Sequence, residues 1–293
     1  AGCVTPRARA ARVMCPALAI AMKYRRGVSS TPASVPRSAN HRAARTYAPP
    51  ARYTPKPAAM NAPAAILHWS PAGRTLVFTL AAASIWCLLA EFYGLCSMRT
   101  FTLWVFLPAT VLLIALAVND RARGDKRLWR AILIGTVAGT VAAVAYDVFR
   151  LPFVFAQAWG IDSVVPQMPL FKVFPRFGAM LLAQPVEQDS YSTAAHTLGW
   201  LYHFSNGATF GIMYAALVGE PSRRHWAWAV LMALAIEAAL LFSPYTAHFS
   251  IAMSALFIVV TLSAHIVFGV ALGLWSRMHA RQWPVPTPRL IPA

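Results

Sequence analysis

Residues 131–155 decide the fold, and they read AILIGTVAGTVAAVAYDVFRLPFVF. A helix needs about 20 mostly apolar residues to cross the hydrocarbon core of a bilayer, and this stretch exceeds that length. Its apolar side chains occur on all sides of the helix, whereas a soluble amphipathic helix carries them on one face. The charged residues in the stretch are Asp147 and Arg150. The stretch therefore predicts a transmembrane helix with two ionisable side chains at membrane depth.

Five further windows have the same apolar character. They are Leu76–Cys96, Phe101–Val118, Ala194–Val218, Trp226–Phe242 and Ile251–Trp275. The 293-residue chain is 58% hydrophobic and 12% charged, with a mean hydropathy of +0.52, whereas a soluble domain is about 25% charged. Too little polar chain remains to cover six buried helices in a soluble protein. The sequence predicts an all-α bundle of six transmembrane helices within residues 60–293.

Lysine and arginine are concentrated in alternate connections between these windows. The basic regions are the lead-in with Arg74, the linker 119–130, the linker with Arg223 and Arg224, and the tail after residue 276. Positively charged connections stay on the cytoplasmic side of a membrane. With six spans, all four regions lie on that side. The pattern therefore predicts that both termini are inside.

Residues 1–59 form a separate basic extension. They contain 11 of the 26 Lys and Arg residues and no acidic residue. An Arg-rich, acid-free segment is typical of an organellar transit peptide. The favoured interpretation is that Met60 is the true start of a bacterial inner-membrane protein and that residues 1–59 are not part of it. We expect the extension to be disordered and, because it has no aromatic or folded platform, we expect no nucleic-acid binding.

The connection between the third and fourth windows, at about 156–193, is long for an unstructured loop. It contains Pro166, Pro169, Pro175 and Pro185, and residues 170–177 read LFKVFPRF. Alternating aromatic and basic side chains are typical of a segment that lies in the membrane interface. The sequence favours an interfacial anchor on the outer side, with a lid over a site as the alternative.

Three windows contain glycines four residues apart. They are Gly135 and Gly139 on the third, Gly207 and Gly211 on the fourth, and Gly269 and Gly273 on the sixth. Small residues one turn apart allow helix backbones to approach closely in lipid. We expect these spans to form a tightly packed core.

Ionisable residues occur inside the predicted spans, where a charge costs about 2.5–3.5 kcal/mol on the lenient insertion scale. The candidates for a binding site or a proton relay are Asp147, Arg150, His203, Asn206, Glu237 and His265. Asp147 and Arg150 are three residues apart and can pair along one helix face. These residues predict either a polar intramembrane site or a set of internal pairs that only hold the helices together.

Three classes of function fit this pattern. The first is transport of a small solute or ion, because buried acids and histidines can carry protons. The second is an intramembrane enzyme or redox protein, in which His203 and His265 would ligate a haem or a metal. The third is a structural or assembly protein. No Walker-type loop or dinucleotide fingerprint occurs in the chain, no cofactor is favoured, and the expected partners are the lipid bilayer and, as an option, a second copy of the chain.

Two short segments resemble the rhomboid proteases. Residues 205–211, SNGATFG, are similar to the rhomboid GxSGxxFG segment, and His265 with Gly269 and Gly273 is similar to the span that carries the rhomboid histidine. Asn206 stands where the nucleophilic serine would be, and the second window lacks the histidine and asparagine of that family. This resemblance implies a relative without protease activity.

The string YDVFRLPF at 146–153, followed by His203, Asn206, Gly207 and Gly211, is similar to families of bacterial inner-membrane proteins with no assigned activity. This second resemblance implies a location in the bacterial inner membrane.

Overall fold

The computed structural model describes residues 69–283, so the expectations for residues 1–59 fall outside the described part of the chain. Within residues 69–283 every regular element is helical and no strand occurs. Three helices are long and apolar enough to cross a membrane, Met98–Arg123, Arg127–Val154 and Ala255–Gln282, and a bent helix pair makes a fourth. The all-α class and the presence of membrane-length apolar helices are confirmed.

The main helices are numbered here in chain order. They are α1 (Pro71–Ala81), α2 (Ala83–Phe92), α3 (Met98–Arg123), α4 (Arg127–Val154), α5 (Val173–Leu181), α6 (Thr193–Val218), α7 (Ala227–Leu241), α8 (Tyr245–His248) and α9 (Ala255–Gln282). Short 3-10 turns occupy Leu170–Lys172 and Pro221–Arg223, and α3 contains a π-helical turn at Thr102–Phe106.

Serine caps and one glycine set several helix boundaries. The side chains of Ser70, Ser192 and Ser254 accept hydrogen bonds from the first turns of α1, α6 and α9. Such caps satisfy backbone N–H groups that have no partner within the helix. Gly124, with a φ of 89°, ends α3 in the left-handed conformation that glycine adopts without steric cost.

Each of the six predicted windows contains a helix, but three windows differ from a regular apolar span. The fourth contains α6, which is 26 residues long but is not among the helices that are apolar enough to cross a membrane by composition. The first window is broken into α1 and α2, which are bent by 45°. The fifth contains α7, whose 15 residues reach only about 22 Å at 1.5 Å per residue, less than a hydrocarbon core of about 30 Å. By length and composition, three helices are able to cross a membrane, or four if the bent pair is one span.

The helices pack in the spatial order α7, α9, α4, α6, α1. The α4–α6 contact is backbone against backbone, because a Cβ on Gly139 would lie 2.0 Å from the carbonyl oxygen of Gly207. Gly135 and Gly211 approach each other in the same way one turn further along. At the α7–α9 contact, a Cβ on Gly269 would lie 2.5 Å from Cα of Val230, and one on Gly273 2.5 Å from the carbonyl oxygen of Trp226. All six glycines therefore lie at close contacts between helices.

The middle of the connection at 156–193, residues 168–181, packs against α6, whereas its two flanks are largely exposed. A Cβ on Gly178 of α5 would lie 1.7 Å from the carbonyl oxygen of Ala195, and one on Gly199 of α6 1.8 Å from that of Phe174. Phe174 and Phe177 are buried. Such close backbone contact needs glycine on both helices, because any side chain would separate them. The segment predicted to lie in the membrane interface is thus a helix packed on α6.

The four basic regions meet at one end of the bundle. Arg130 of α4 forms an ion pair with Glu220, at 2.9 Å, and donates to the carbonyl oxygens of Ala280 and Trp283 at the end of α9. Arg74 of α1 donates to the carbonyl oxygens of Ala216 and Leu217 at the end of α6. Arginine guanidinium groups therefore donate hydrogen bonds to carbonyl oxygens that have no intrahelical partner at the helix ends.

Glu220→Gln is expected to destabilise the protein slightly at neutral pH but not in acid. Burial by itself raises the pKa of Glu220, but hydrogen bonds from Arg130 and Ser222 outweigh it and the pKa is lowered from 4.5. A lowered pKa in the folded state stabilises the protein above the unfolded-state pKa, and this contribution is lost as pH falls through the folded-state value. Thermal unfolding at pH 7 and at stepwise lower pH measures the effect, with the exposed Asp162→Asn as the control. A difference in midpoint that is equal at every pH would contradict the assignment.

Candidate functional site

A cavity of about 470 Å³ lies among α2, α4, α6, α7 and α9. Residues 168–177 and 249–254 cover one side of it, and we call residues 168–181 the lid segment. The volume lies within the range of about 300–1,000 Å³ that is usual for small-molecule sites. Five of the six predicted site residues line the cavity, namely Arg150, His203, Asn206, Glu237 and His265. Asp147 lies behind them and contacts two of them.

Asp147 joins α4 to α6. Its Oδ2 lies 2.8 Å from Nε2 of His203, and its Oδ1 lies 3.6 Å from Nη1 of Arg150 one turn along α4. Asp147 and Arg150 are 8% and 5% exposed. Because an ionised carboxylate only accepts hydrogen bonds, His203 donates through Nε2 in this arrangement. A buried carboxylate is thus shared between a guanidinium and an imidazole.

Glu237 and His265 form a second acid–histidine pair between α7 and α9. Nδ1 of His265 lies 3.3 Å from Oε2 of Glu237 and 2.9 Å from the carbonyl oxygen of Thr261. A carbonyl oxygen only accepts, so Nδ1 carries the hydrogen and Nε2 is the acceptor of the neutral ring. Glu237 is only 4% exposed. The carboxylate therefore contacts an imidazole whose Nδ1 hydrogen is directed to the carbonyl oxygen of Thr261.

Tyr146 lies between the two pairs. Its ring centroid is 5.0 Å from that of His265 and 6.0 Å from that of His203. Tyr146 also lies 4.8 Å from the guanidinium carbon of Arg150, which is four residues further along α4. One aromatic side chain thus contacts both histidines and the buried arginine.

Arg150 sits in a cage of aromatic rings. Its guanidinium carbon is 4.8 Å from the ring of Tyr146, 5.1 Å from Phe171 and 5.4 Å from Phe174. Nη2 donates to the carbonyl oxygen of Leu170 in the lid segment. Nε has no hydrogen-bond partner among residues 69–283. Arg150 therefore ties α4 to the lid segment and still has a donor to offer.

Asn206 is buried one turn from His203 on α6, at 7% exposure. Its Oδ1 lacks a hydrogen-bond partner in the described part of the chain. A buried polar atom without a partner is uncommon in native proteins and calls for an explanation such as a missing ligand.

The lid segment is attached to the rest of the molecule by Arg176. Nη1 of Arg176 donates to the carbonyl oxygen of Phe249 at 2.9 Å, and Nη2 forms an ion pair of 2.7 Å with Glu187. Phe249 is 1% exposed and its ring contacts that of Phe177. The lid segment and the connection after α8 therefore contact each other where they line the cavity.

Sequence reasoning omitted three groups that the structure places in the cavity wall, namely Tyr146, Phe174 and Arg176. Two signals could have identified them. Tyr146 is one turn before Arg150 on the same helix face, and Phe174 and Arg176 belong to the aromatic and basic alternation of residues 170–177.

The structure groups the candidates into two acid–histidine pairs rather than one cluster. His203 contacts Asp147, and His265 contacts Glu237. Within residues 69–283 no three His, Cys, Asp or Glu side chains come close enough together to hold a metal ion.

The chain was compared with protein-family models, with curated proteins and with solved structures. No family model, no curated protein and no solved structure matches it.

Proposed function

We propose that this protein is a multi-pass membrane protein that binds a small solute in its polar intramembrane cavity and carries it across the bilayer together with protons. The observation that carries the proposal is the cavity of about 470 Å³ with two buried acid–histidine pairs and Arg150 around it. Ionisable groups at membrane depth are expensive, and they are typical of substrate and proton pathways.

The two acid–histidine pairs supply the protonatable groups that would couple ligand binding to proton uptake. Histidine is the side chain whose charge changes most readily near neutral pH. Each proton taken up by Glu237 and His265, or by Asp147 and His203, changes the charge beside the cavity by one unit. If the affinity for the solute depends on that charge, proton uptake changes solute binding. Solute binding then changes the affinity for protons by the same factor, because coupling between two ligands is reciprocal.

The proposed orientation has six membrane helices with both termini inside, in a bacterial inner membrane. Its support is the basic end of the bundle, where Arg74, Arg130 and the end of α9 meet, because cytoplasmic connections are enriched in Lys and Arg. The lid segment then faces the outside. A reporter that functions only in the cytoplasm is expected to be active when it is fused after Arg281. Activity of a reporter that functions only after export would overturn this orientation. If residues 1–59 act as a transit peptide, an organellar membrane replaces the bacterial one.

Asp147→Asn is expected to abolish solute-linked proton movement while leaving the helical fold intact. The amide keeps the shape of the side chain but cannot take up a proton beside His203. Proteoliposomes with an entrapped pH dye measure the movement when a defined mixture of amino acids, organic acids and amines is added.

The matched control for this assay is Asp162→Asn, which neutralises an exposed carboxylate in the connection after α4. It is expected to leave the movement unchanged. Full proton movement in Asp147→Asn would contradict the transport proposal. If the unaltered protein also shows no solute-linked proton movement, the result would favour a helical bundle whose polar pairs only stabilise helix packing.

A further inference from the structure

We propose that the ligand of the cavity is an organic monoanion, with a carboxylate bound by Arg150 and Arg176 and a flat apolar body enclosed by aromatic rings. The inference rests on the proposed function, because it names the substrate class for the same cavity. Its basis is the combination of charge, open hydrogen-bonding atoms and wall chemistry that the described residues present.

The charged residues that line the cavity are mainly basic. Arg150, Arg176 and the exposed Lys172 line it, against the single acid Glu237. Glu237 is engaged by His265, and Asp147 lies behind the wall, where it contacts His203. Arg150 contacts Asp147 and Arg176 contacts Glu187, and neither of these acids belongs to the lining. The cavity wall itself therefore holds three bases and one acid, which favours a negatively charged ligand.

Both arginines have unused hydrogen-bonding capacity. Nε of Arg150 and Nε of Arg176 are buried without a hydrogen-bond partner among residues 69–283. The contact of Arg150 with Asp147, at 3.6 Å, is longer than a hydrogen bond. A guanidinium has five N–H donors in a fork that fits a carboxylate with two parallel hydrogen bonds. Both arginines line the cavity, so a carboxylate on its lid side would accept hydrogen bonds from the guanidinium N–H groups that face it.

Eight aromatic side chains line the cavity, beside a larger number of aliphatic ones. The aromatic residues are Tyr146, Phe174, Phe177, Phe210, Tyr245, Phe249, Phe257 and Phe268. An inorganic anion would leave these apolar surfaces and most of the 470 Å³ without contact. Aromatic rings pack best against flat or aliphatic groups. The wall thus selects an organic anion over chloride or another small inorganic ion.

Asn206 adds a polar contact away from the arginines. Its side chain is 7% exposed, and its Oδ1 has no hydrogen-bond partner within the described residues. A hydroxyl or amide group on the apolar body of the ligand would donate a hydrogen bond to this oxygen, since buried polar atoms are normally hydrogen-bonded.

The test is equilibrium binding of labelled 3-phenylpropionate to the purified full chain in detergent. Its matched cation, 3-phenylpropylamine, has the same ring and chain length with the opposite charge. We expect saturable binding of the carboxylate at least about tenfold tighter than binding of the amine, a difference of about 1.4 kcal/mol. Unlabelled chloride is expected not to compete. Competition by decanoate distinguishes an acyl chain drawn from the lipid phase from a soluble aromatic acid.

Arg176→Gln is expected to weaken the binding of 3-phenylpropionate at least about tenfold. This side chain is partly exposed and lies on the lid segment, so its loss tests the site without removing a buried charge from the core. Arg150→Gln is expected to act in the same direction. Arg123→Gln, at an exposed position near the end of α3, is the control and is expected to leave the affinity unchanged.

Three outcomes would overturn the assignment of substrate class: no saturable binding of either carboxylate, binding of the amine at least as tight, or affinity that Arg176→Gln leaves unchanged. If any of these occurs while Asp147→Asn still abolishes proton movement, the substrate class is wrong and the transport proposal stands. If proton movement is absent from the unaltered protein while 3-phenylpropionate binds through Arg176, the transport proposal fails and the binding site stands.

Discussion

Gly139→Val lowers the free energy of unfolding by about 3 kcal/mol or more, at the upper end of the cost of overpacking a core. The first added carbon would lie 2.0 Å from the carbonyl oxygen of Gly207 and 2.9 Å from the backbone nitrogen of Gly211. These atoms belong to the backbone of α6 and cannot turn aside as a flexible side chain can. The two helices must therefore separate along the contact that brings Asp147 to His203.

Unfolding of the purified protein by SDS in mixed micelles, followed by far-UV circular dichroism, measures this loss. The matched control is Val144→Ala on the same helix, because Val144 is 47% exposed and faces away from α6. The control is expected to unfold close to the unaltered protein. Equal unfolding of Gly139→Val and the control would show that α4 and α6 do not pack through their glycines.

Arg150→Met is expected to destabilise the protein by about 3–5 kcal/mol, the usual cost of removing one partner of a buried ion pair. The variant leaves Asp147 buried with His203 as its remaining side-chain partner, and leaves the carbonyl oxygen of Leu170 without its donor. Methionine occupies similar space, so the loss arises from charge and hydrogen bonding rather than from a cavity. The same unfolding experiment measures it.

A double-variant cycle separates the charge pair from other effects of the change. Asp147→Asn with Arg150→Met removes both charges, and we expect the double variant to be more stable than the sum of the two single losses predicts. Residues in direct contact typically show coupling of about 0.5–3 kcal/mol in such cycles. Strictly additive losses would show that the 3.6 Å contact contributes nothing.

The helices could be predicted from the sequence because apolar length is a local property. The predicted window Ala194–Val218 differs from α6 by one residue at its start, since Ser192 provides a cap there. Asp147 and Arg150 could be paired in advance because their spacing of three residues places them on one helix face. The break between α1 and α2 could not be predicted, because no proline or glycine marks the position between Ala81 and Ala83.

The lid segment shows what a residue pattern leaves undetermined in a connection between helices. Residues 170–177 have the composition of an interfacial segment, and the sequence favoured that interpretation. The decisive feature is instead the pair Gly178 and Gly199, which are far apart in the chain and signal nothing until α5 lies against α6. Burial of Phe174 over the cavity is a consequence of that contact.

The sequence by itself determined an apolar helical protein with acids, histidines and an arginine inside its helices, because hydropathy and helical spacing act over a few neighbouring residues. Only the tertiary structure decided that Asp147 meets His203 and that Glu237 meets His265. It also decided that Tyr146 lies between the two pairs and that the lid segment lines the cavity. These contacts join residues from different helices, so they depend on how closely the backbones approach. Glycines allow that approach at the α4–α6 and α7–α9 contacts, and it is the packed arrangement that turns scattered polar residues into one site.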